Sequence, residues 1–182
     1  METFWLAIWF FLPAGIANAT PVFVNKIPVL NRWKTPLDFG RTYRGKRIFG
    51  ANKSWRGVIW GAIIGGAAGW LIYQLNPPSS PLIWEDAARP ALFMTLLGSL
   101  LGTGALLGDA IESFLKRQKG VPAGHSWFPF DQLDYIVGGL LMSAILIQLT
   151  WQQYAVITLV WFGLHLISAY IGYRLKLKTT PI

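Results

Sequence analysis

Residues 135–173, YIVGGLLMSAILIQLTWQQYAVITLVWFGLHLISAYIGY, form a run of 39 positions without a Lys, Arg, Asp or Glu. A helix that crosses a bilayer needs about 20 mostly apolar residues. The run therefore has room for two such helices, joined by Thr150, Trp151, Gln152 and Gln153. Toward the N-terminus, Pro90–Gly108 and Gly57–Trp84 are also uncharged, and Phe4–Val24 is a first apolar segment. These segments predict an all-α integral membrane protein. Its single domain, 1–182, has five transmembrane helices at about 3–24, 56–75, 90–108, 133–149 and 154–173. Loops 25–55 and 109–132 hold most of the residues able to do chemistry.

Composition agrees with this. Of 182 residues, 53% are hydrophobic and 13% charged, which is too apolar for an ordinary soluble domain. Buried helices of soluble proteins are rarely this long and this uncharged on every face. Trp5, Trp9, Trp55, Trp84, Trp151, Tyr154 and Tyr173 fall near predicted span ends, where an aromatic belt would put them. Cysteine is absent, which excludes disulfides, thiolate nucleophiles and thiolate metal sites. The first segment ends near Ala17-Asn18-Ala19, which looks like a signal-peptidase site, but it begins Met1-Glu2-Thr3 and lacks a basic n-region. It is expected to stay as an uncleaved helix, kinked or ended by Pro13 and Pro21.

Charge sets the orientation. Of the sixteen Lys and Arg, all but Arg89 lie in Lys26–Arg56, Lys116–Lys119 or Arg174–Lys178. With five spans these three places share one side of the bilayer, and basic loops are cytoplasmic. The other side holds Glu2, Glu85, Asp86 and Arg89. The N-terminus is thus expected outside and the C-terminus in the cytoplasm. Insertion rules and anionic lipid account for part of the net charge of +8.

They do not account for how the first loop is built. Between Asp38 and Gly57, Gly40, Gly45 and Gly50 recur every fifth residue among Arg41, Arg44, Lys46, Arg47, Lys53 and Arg56. Glycine allows positive φ, and successive backbone N–H groups in such turns cradle anions. Arginine adds bidentate phosphate contacts. Ser54 is placed to cap the second span. A phosphate cradle and a plain topogenic loop are both open, and the loop is too short and too tethered for a nucleic-acid reader.

The second loop carries acids. If the third helix continues past Gly108, Asp109, Glu112 and Lys116 fall on one face. Glu112 and Lys116 could be an ordinary surface ion pair. Asp109 is different, because a carboxylate at the membrane boundary is costly and usually functional. After a turn-rich connector, Asp131 and Asp134 open the fourth span on one side of its first turn. Asp131 could serve as an N-cap or first-turn acid. Three carboxylates at one depth suggest a hard cation, and Mg²⁺ suits oxygen ligands completed by phosphate. His125 and His165 are isolated and read as structural, with no zinc spacing. Gly61, Gly65, Gly69, Gly98 and Gly102 allow close helix approach.

Ser113-Phe114-Leu115-Lys116-Arg117, a Gly/Pro linker and Asp131-Gln132-Leu133-Asp134 together resemble the signature of the integral-membrane CTP:phospholipid cytidylyltransferases, the CDP-diacylglycerol synthases. They are closer to a smaller five-helix branch, the CDP-archaeol synthase family. That branch is similar also at Asp38-Phe39-Gly40-Arg41, Lys53-Ser54-Trp55-Arg56-Gly57, Gly108-Asp109, Leu12-Pro13-Ala14 and Ala17-Asn18-Ala19-Thr20-Pro21. The diacylglycerol enzymes typically have His-Gly-Gly before Asp-Arg-x-x-Asp. Here His125-Ser126-Trp127 stands in the first place and Gln132 replaces the Arg.

The resemblance implies CMP transfer from CTP to a glycerol-phosphate lipid, giving a CDP-lipid and pyrophosphate. Asp109, Asp131 and Asp134 would hold Mg²⁺, and Lys116 and Arg117 would meet phosphate oxygens; these five are the expected catalytic set. Arg41, Arg44, Lys46, Arg47, Lys53, Ser54, Arg56, Glu112 and Ser113 are expected on the substrates. The partners implied are CTP, a lipid phosphate and membrane lipids, with no nucleic acid, and a homodimer is left open. The location implied is the cell (inner or plasma) membrane, multi-pass, with the site facing the cytoplasm. The same reaction on phosphatidic acid is the nearest alternative, and a small transporter or adaptor is the alternative of another class. The enzyme reading requires Asp109 to meet the Asp131/Asp134 pair at one end of the helices.

Overall fold

Polar caps mark where two of the helices begin, and glycine decides how several of them meet. The computed structural model describes residues 1–25, 27–77, 83, 87–122 and 124–176. Lys26, Trp84, Glu85, Asp86 and Lys178, which entered the sequence-based topology, lie outside the described residues. Five α-helices are present among the described residues: α1 Glu2–Val24, α2 Trp55–Leu75, α3 Pro90–Lys119, α4 Phe130–Ser143 and α5 Trp151–Arg174. A two-stranded hairpin, β1 Thr42–Tyr43 with β2 Lys46–Arg47, lies in the α1–α2 loop. Its turn residues Arg44 and Gly45 both have positive φ, the backbone a two-residue hairpin turn demands.

Ser54 caps α2 as expected, its Oγ accepting from the Gly57 N–H at 3.3 Å. At α5, Thr150 and Gln153 form a reciprocal capping box. α1 continues through Pro13 and ends at Val24, shortly after Pro21.

α2 and α3 pack through glycine. A Cβ on Gly65 would strike the Gly98 carbonyl, one on Gly69 the Met94 carbonyl, and one on Gly102 the Gly61 carbonyl. Gly104 and Gly108 of α3 meet Gly138 of α4 in the same way. The core between the helices is built from Phe10 and Phe11 of α1, Leu97 and Leu101 of α3, Ile136 of α4 and Ile157 of α5. Trp161 of α5 donates from Nε1 to the Ala7 carbonyl at 2.9 Å and accepts at its own carbonyl from the Tyr135 hydroxyl at 3.1 Å. Gly15 leaves room for that indole.

α1, α2, α3 and α5 are each long and apolar enough to cross a membrane. α4 is not. Its 14 residues reach about 21 Å, against a hydrocarbon thickness near 30 Å. The sequence predicted this span over 133–149, but the helix stops at Ser143 and turns follow. The N–H groups of Ala144, Ile145 and Leu146 find the carbonyls of Leu140, Met142 and Ser143. An unbroken apolar run marks a segment as lipid-compatible, but it does not mark where helical hydrogen bonding ends.

Candidate active site

α3 has 30 residues, about 45 Å of helix, well beyond the hydrocarbon thickness. The overhang past Gly108 carries Asp109, Glu112, Ser113 and Lys116 at helical spacing, and the last three are buried. α4 approaches this overhang at Gly108, where any Cβ would strike the Asp134 carbonyl. That contact brings Asp134 to the acids of α3.

One carboxylate oxygen from each of Asp109, Glu112 and Asp134 lies within 4.8 Å of the others. Two lysines face them. Lys53 Nζ is 2.6 Å from both oxygens of Asp109. Lys116 Nζ is 3.3 Å from Glu112 Oε1 and 2.5 Å from Asp131 Oδ1. The grouping therefore differs from the expected Asp109, Asp131 and Asp134. Asp131 turns back to accept from the Trp127 N–H at 2.8 Å and pairs with Lys116, while Glu112 takes the third place beside Asp109 and Asp134. Helical periodicity had put Glu112 on the face of Asp109; only the approach of α4 decides which α4 acid joins them. Asp131 also does not cap α4, whose N-cap is Pro129.

The α1–α2 loop forms the facing wall. Its two ends run side by side: the Leu37 N–H donates to the Lys53 carbonyl at 2.8 Å and the Trp55 N–H to the Thr35 carbonyl at 3.1 Å. Between them lies Asp38, 4% exposed. Its Oδ1 accepts from the Gly40 N–H at 2.9 Å and from Arg47 at 2.6 Å. Its Oδ2 accepts from Arg47 Nε at 3.2 Å and from the N–H groups of Phe49 and Gly50 at 3.1 and 3.2 Å. Burial pushes the Asp38 carboxyl up, but the Arg47 guanidinium and the three N–H groups outweigh it and hold it at about 2. Gly40 and Gly50 have φ of 83° and 88°, which aims those amides inward. The phosphate cradle expected from the glycines is not what they form here: the amides of Gly40 and Gly50 hold the chain's own Asp38, and Gly45 sits in the hairpin turn.

A cavity of about 260 Å³ lies between this wall and the acids, lined by Phe49–Lys53, Asp109, Glu112, Ser113, Lys116, Arg117, Gly124, Asp131 and Asp134. It gathers all five residues of the expected catalytic set, with Lys53, Glu112 and Ser113 from the substrate set. Arg41, Arg44, Lys46, Arg47, Ser54 and Arg56 are not in this lining. Arg56 is buried and donates to the Leu30 carbonyl at 2.9 Å and to Asn25. Arg47 is held by Asp38, and Lys46 Nζ donates to the Gln118 carbonyl at 3.2 Å. Arg44 stacks over Tyr43. Cation density in sequence overstated the cavity-facing charge, because many of these cations tie the loop together. Ala51 and Asn52 line the cavity without having been singled out for it. Their position between the last loop glycine and Lys53 was the available signal.

The donor set suits a hard divalent cation. Every ligand atom is a carboxylate oxygen, and Glu112 Oε1 is buried without a hydrogen bond among the described residues, its nearest cation the shared Lys116.

A family model, CarS-like CDP-archaeol synthase, matches residues 1–182. The CDP-archaeol synthase of Thermococcus kodakarensis is 34% identical over 179 residues, covering 98% of this chain and 95% of that one. The CDP-archaeol synthase of Thermococcus onnurineus is 35% identical over 176 residues, and that of Saccharolobus islandicus 32% over 178, each covering 95% of the relative. A solved intramembrane enzyme for archaeal membrane lipids biosynthesis matches with a TM-score of 0.69 at 30% identity, over 89% of this chain and 91% of that one.

Proposed function

We infer the reaction from a premise the comparisons supply: this chain belongs to the CDP-archaeol synthase family. It is a multi-pass membrane enzyme that transfers CMP from CTP to a glycerol-phosphate ether lipid, releasing pyrophosphate and leaving CDP-archaeol or a close analogue. The observation that carries this reading is the cavity where Asp109, Glu112 and Asp134 face Lys53, Lys116 and Arg117.

A lipid phosphate oxygen forms a bond to the α-phosphorus of CTP, and the bond from that phosphorus to the α–β bridging oxygen breaks. The nucleophile is anionic at neutral pH, so no strong general base is needed. The protein's task is alignment and charge neutralisation. Lys116, anchored by Glu112 and Asp131, presents a fixed ammonium to the phosphates, and Arg117 adds a planar donor beside it. Lys53 and the Gly50–Asn52 backbone close the opposite wall. Asp109, Glu112 and Asp134 would hold Mg²⁺, which when bound offsets the negative charge of the triphosphate.

The chain is proposed to sit with the α1–α2 and α3–α4 loops on the cytoplasmic side, where CTP is. α4 together with residues 144–149 completes a fifth crossing on this proposal, because residues 135–149 are uncharged. The lipid tails fit an apolar-walled recess of about 610 Å³, which shares Gly15, Ala19 and Trp161 with a second recess of about 450 Å³ that Asn18, Tyr135, His165 and Ser168 make partly polar.

The test is an assay of detergent-solubilised protein with labelled CTP, Mg²⁺ and either the archaeol-type phosphate or phosphatidic acid. CDP-archaeol formation is expected. Folded protein that makes no CDP-lipid from either acceptor overturns the activity, and turnover of phosphatidic acid alone moves the lipid assignment. Orientation is read from single cysteines introduced at Lys34 or Lys119 in this cysteine-free chain. An impermeant maleimide should label them in inverted vesicles and not in right-side-out ones.

A further inference from the structure

We propose that Asp38 is a positioning residue of the nucleotide site, acting through the strap Phe49–Lys53 and not through contact with substrate. The inference rests on the CTP reading above.

Three observations carry it. Asp38 accepts five hydrogen bonds, two from Arg47 and one each from the N–H groups of Gly40, Phe49 and Gly50. A carboxylate offers about four lone-pair directions, so no capacity remains for a metal or a substrate proton. Two of those donors, the amides of Phe49 and Gly50, belong to residues that line the charged cavity. Beyond them the strap runs through Ala51 and Asn52 to Lys53, whose carbonyl is pinned by the Leu37 N–H at 2.8 Å and whose ammonium meets Asp109. Asp38 thus ties one end of the strap and its neighbour Leu37 ties the other. Without the carboxylate, three inward-pointing amides and the Arg47 guanidinium lose their acceptor, and Gly50 loses the bond that fixes it at the cavity edge. The chain otherwise concentrates cations between Lys26 and Arg56, and Asp38 is the single acid among them. Its placement makes the glycine turns a closed internal structure, so the phosphate-facing groups are those after Gly50.

The experiment compares wild type, Asp38→Asn and Arg47→Gln in steady-state kinetics with CTP and lipid varied separately, alongside thermal unfolding. Trypsin digestion at Arg41, Arg44, Lys46 and Arg47 is followed without substrate. Asp38→Asn should raise the CTP KM by about tenfold or more, as a displaced positioning element does. Its kcat and lipid KM should change far less, and the loop should be cut faster. Arg47→Gln, which leaves the carboxylate its amide donors, should move the same readouts less and serves if Asp38→Asn does not fold. An unchanged CTP KM in folded Asp38→Asn, or a fall in kcat at constant KM, overturns the proposal. Lowered thermal stability with unchanged kinetics overturns it also, since that is a merely structural role. If wild type makes no CDP-lipid, the reading of the activity fails by itself, while the digestion rate still decides whether Asp38 holds the strap.

Discussion

Asp38 and the group Asp109, Glu112 and Asp134 are both sets of sequestered carboxylates beside lysines and arginines. They differ in how their oxygens are used. Asp38 has five hydrogen bonds from one arginine and three backbone amides. The group of three has two lysines, one of them shared with Asp131, and the Tyr135 N–H on Asp134. A saturated carboxylate is a structural anchor, because nothing can approach it without breaking a bond already made. A group that gathers three carboxylates in one place repels itself until a proton or another cation offsets the charge, and a bridging metal is the cation proposed for this one. The same residue type therefore builds the wall in one region and the acidic floor of the cavity in the other, and how fully its oxygens are used separates them.

The contrast breaks most sharply at the floor. Asp134→Asn should lower kcat by about 10³-fold or more while the protein stays folded, as removal of a metal ligand at a phosphoryl site would; CMP transfer and melting are measured together. A normal rate would mean that the group is not the metal site. Lys116→Gln should cost about 10²-fold in kcat, because it removes the cation that Glu112 and Asp131 share, and phosphate-binding affinity should fall with it. At the wall, Asp38→Asn is expected to lower stability as well as to raise the CTP KM. The folded Asp38 carboxyl is held at about 2, below its ordinary 3.8. The stabilisation it contributes is thus complete above pH 4 and disappears as pH falls from about 4 toward 2. Unfolding of wild type and Asp38→Asn in detergent should therefore converge over that acid window. The smallest effect is expected at Arg41, exposed and not among the cavity-lining residues. Arg41→Ala should raise the CTP KM by no more than about threefold, and a large rise would bring the loop's outer cations back into the site.

Much of this was legible in the residues. The charge-free runs gave the long helices, since length and apolarity suffice for a span. The spacing of Asp109, Glu112 and Lys116 gave one face of α3, because helical period is a local property. Ser54 announced the start of α2, and the glycines at 61, 65, 69, 98 and 102 marked helices able to approach closely, though not which ones would meet. The end of α4 was not legible, because Ala144–Leu149 is as apolar as the helix before it. Nor was the fate of the cations in the α1–α2 loop. Arg47 and Arg56 resemble substrate contacts in sequence, yet their partners are Asp38, Asn25 and the Leu30 carbonyl.

The sequence by itself determined the membrane-embedded helices, the pairing of a basic loop with an acidic one, and the family. Hydrophobic length, helical period and turn chemistry are written in neighbouring residues, and the family showed in the resemblance carried by motifs such as Asp131-Gln132-Leu133-Asp134. Only the tertiary structure decided that Glu112 joins Asp109 and Asp134, that Asp131 instead holds Lys116, and that Asp38 fills the glycine cradle. Those choices depend on how closely α4 lies on α3 at Gly108 and on which amides the α1–α2 loop turns inward. Contacts between residues far apart in the chain are set by packing geometry, and local sequence carries no record of it.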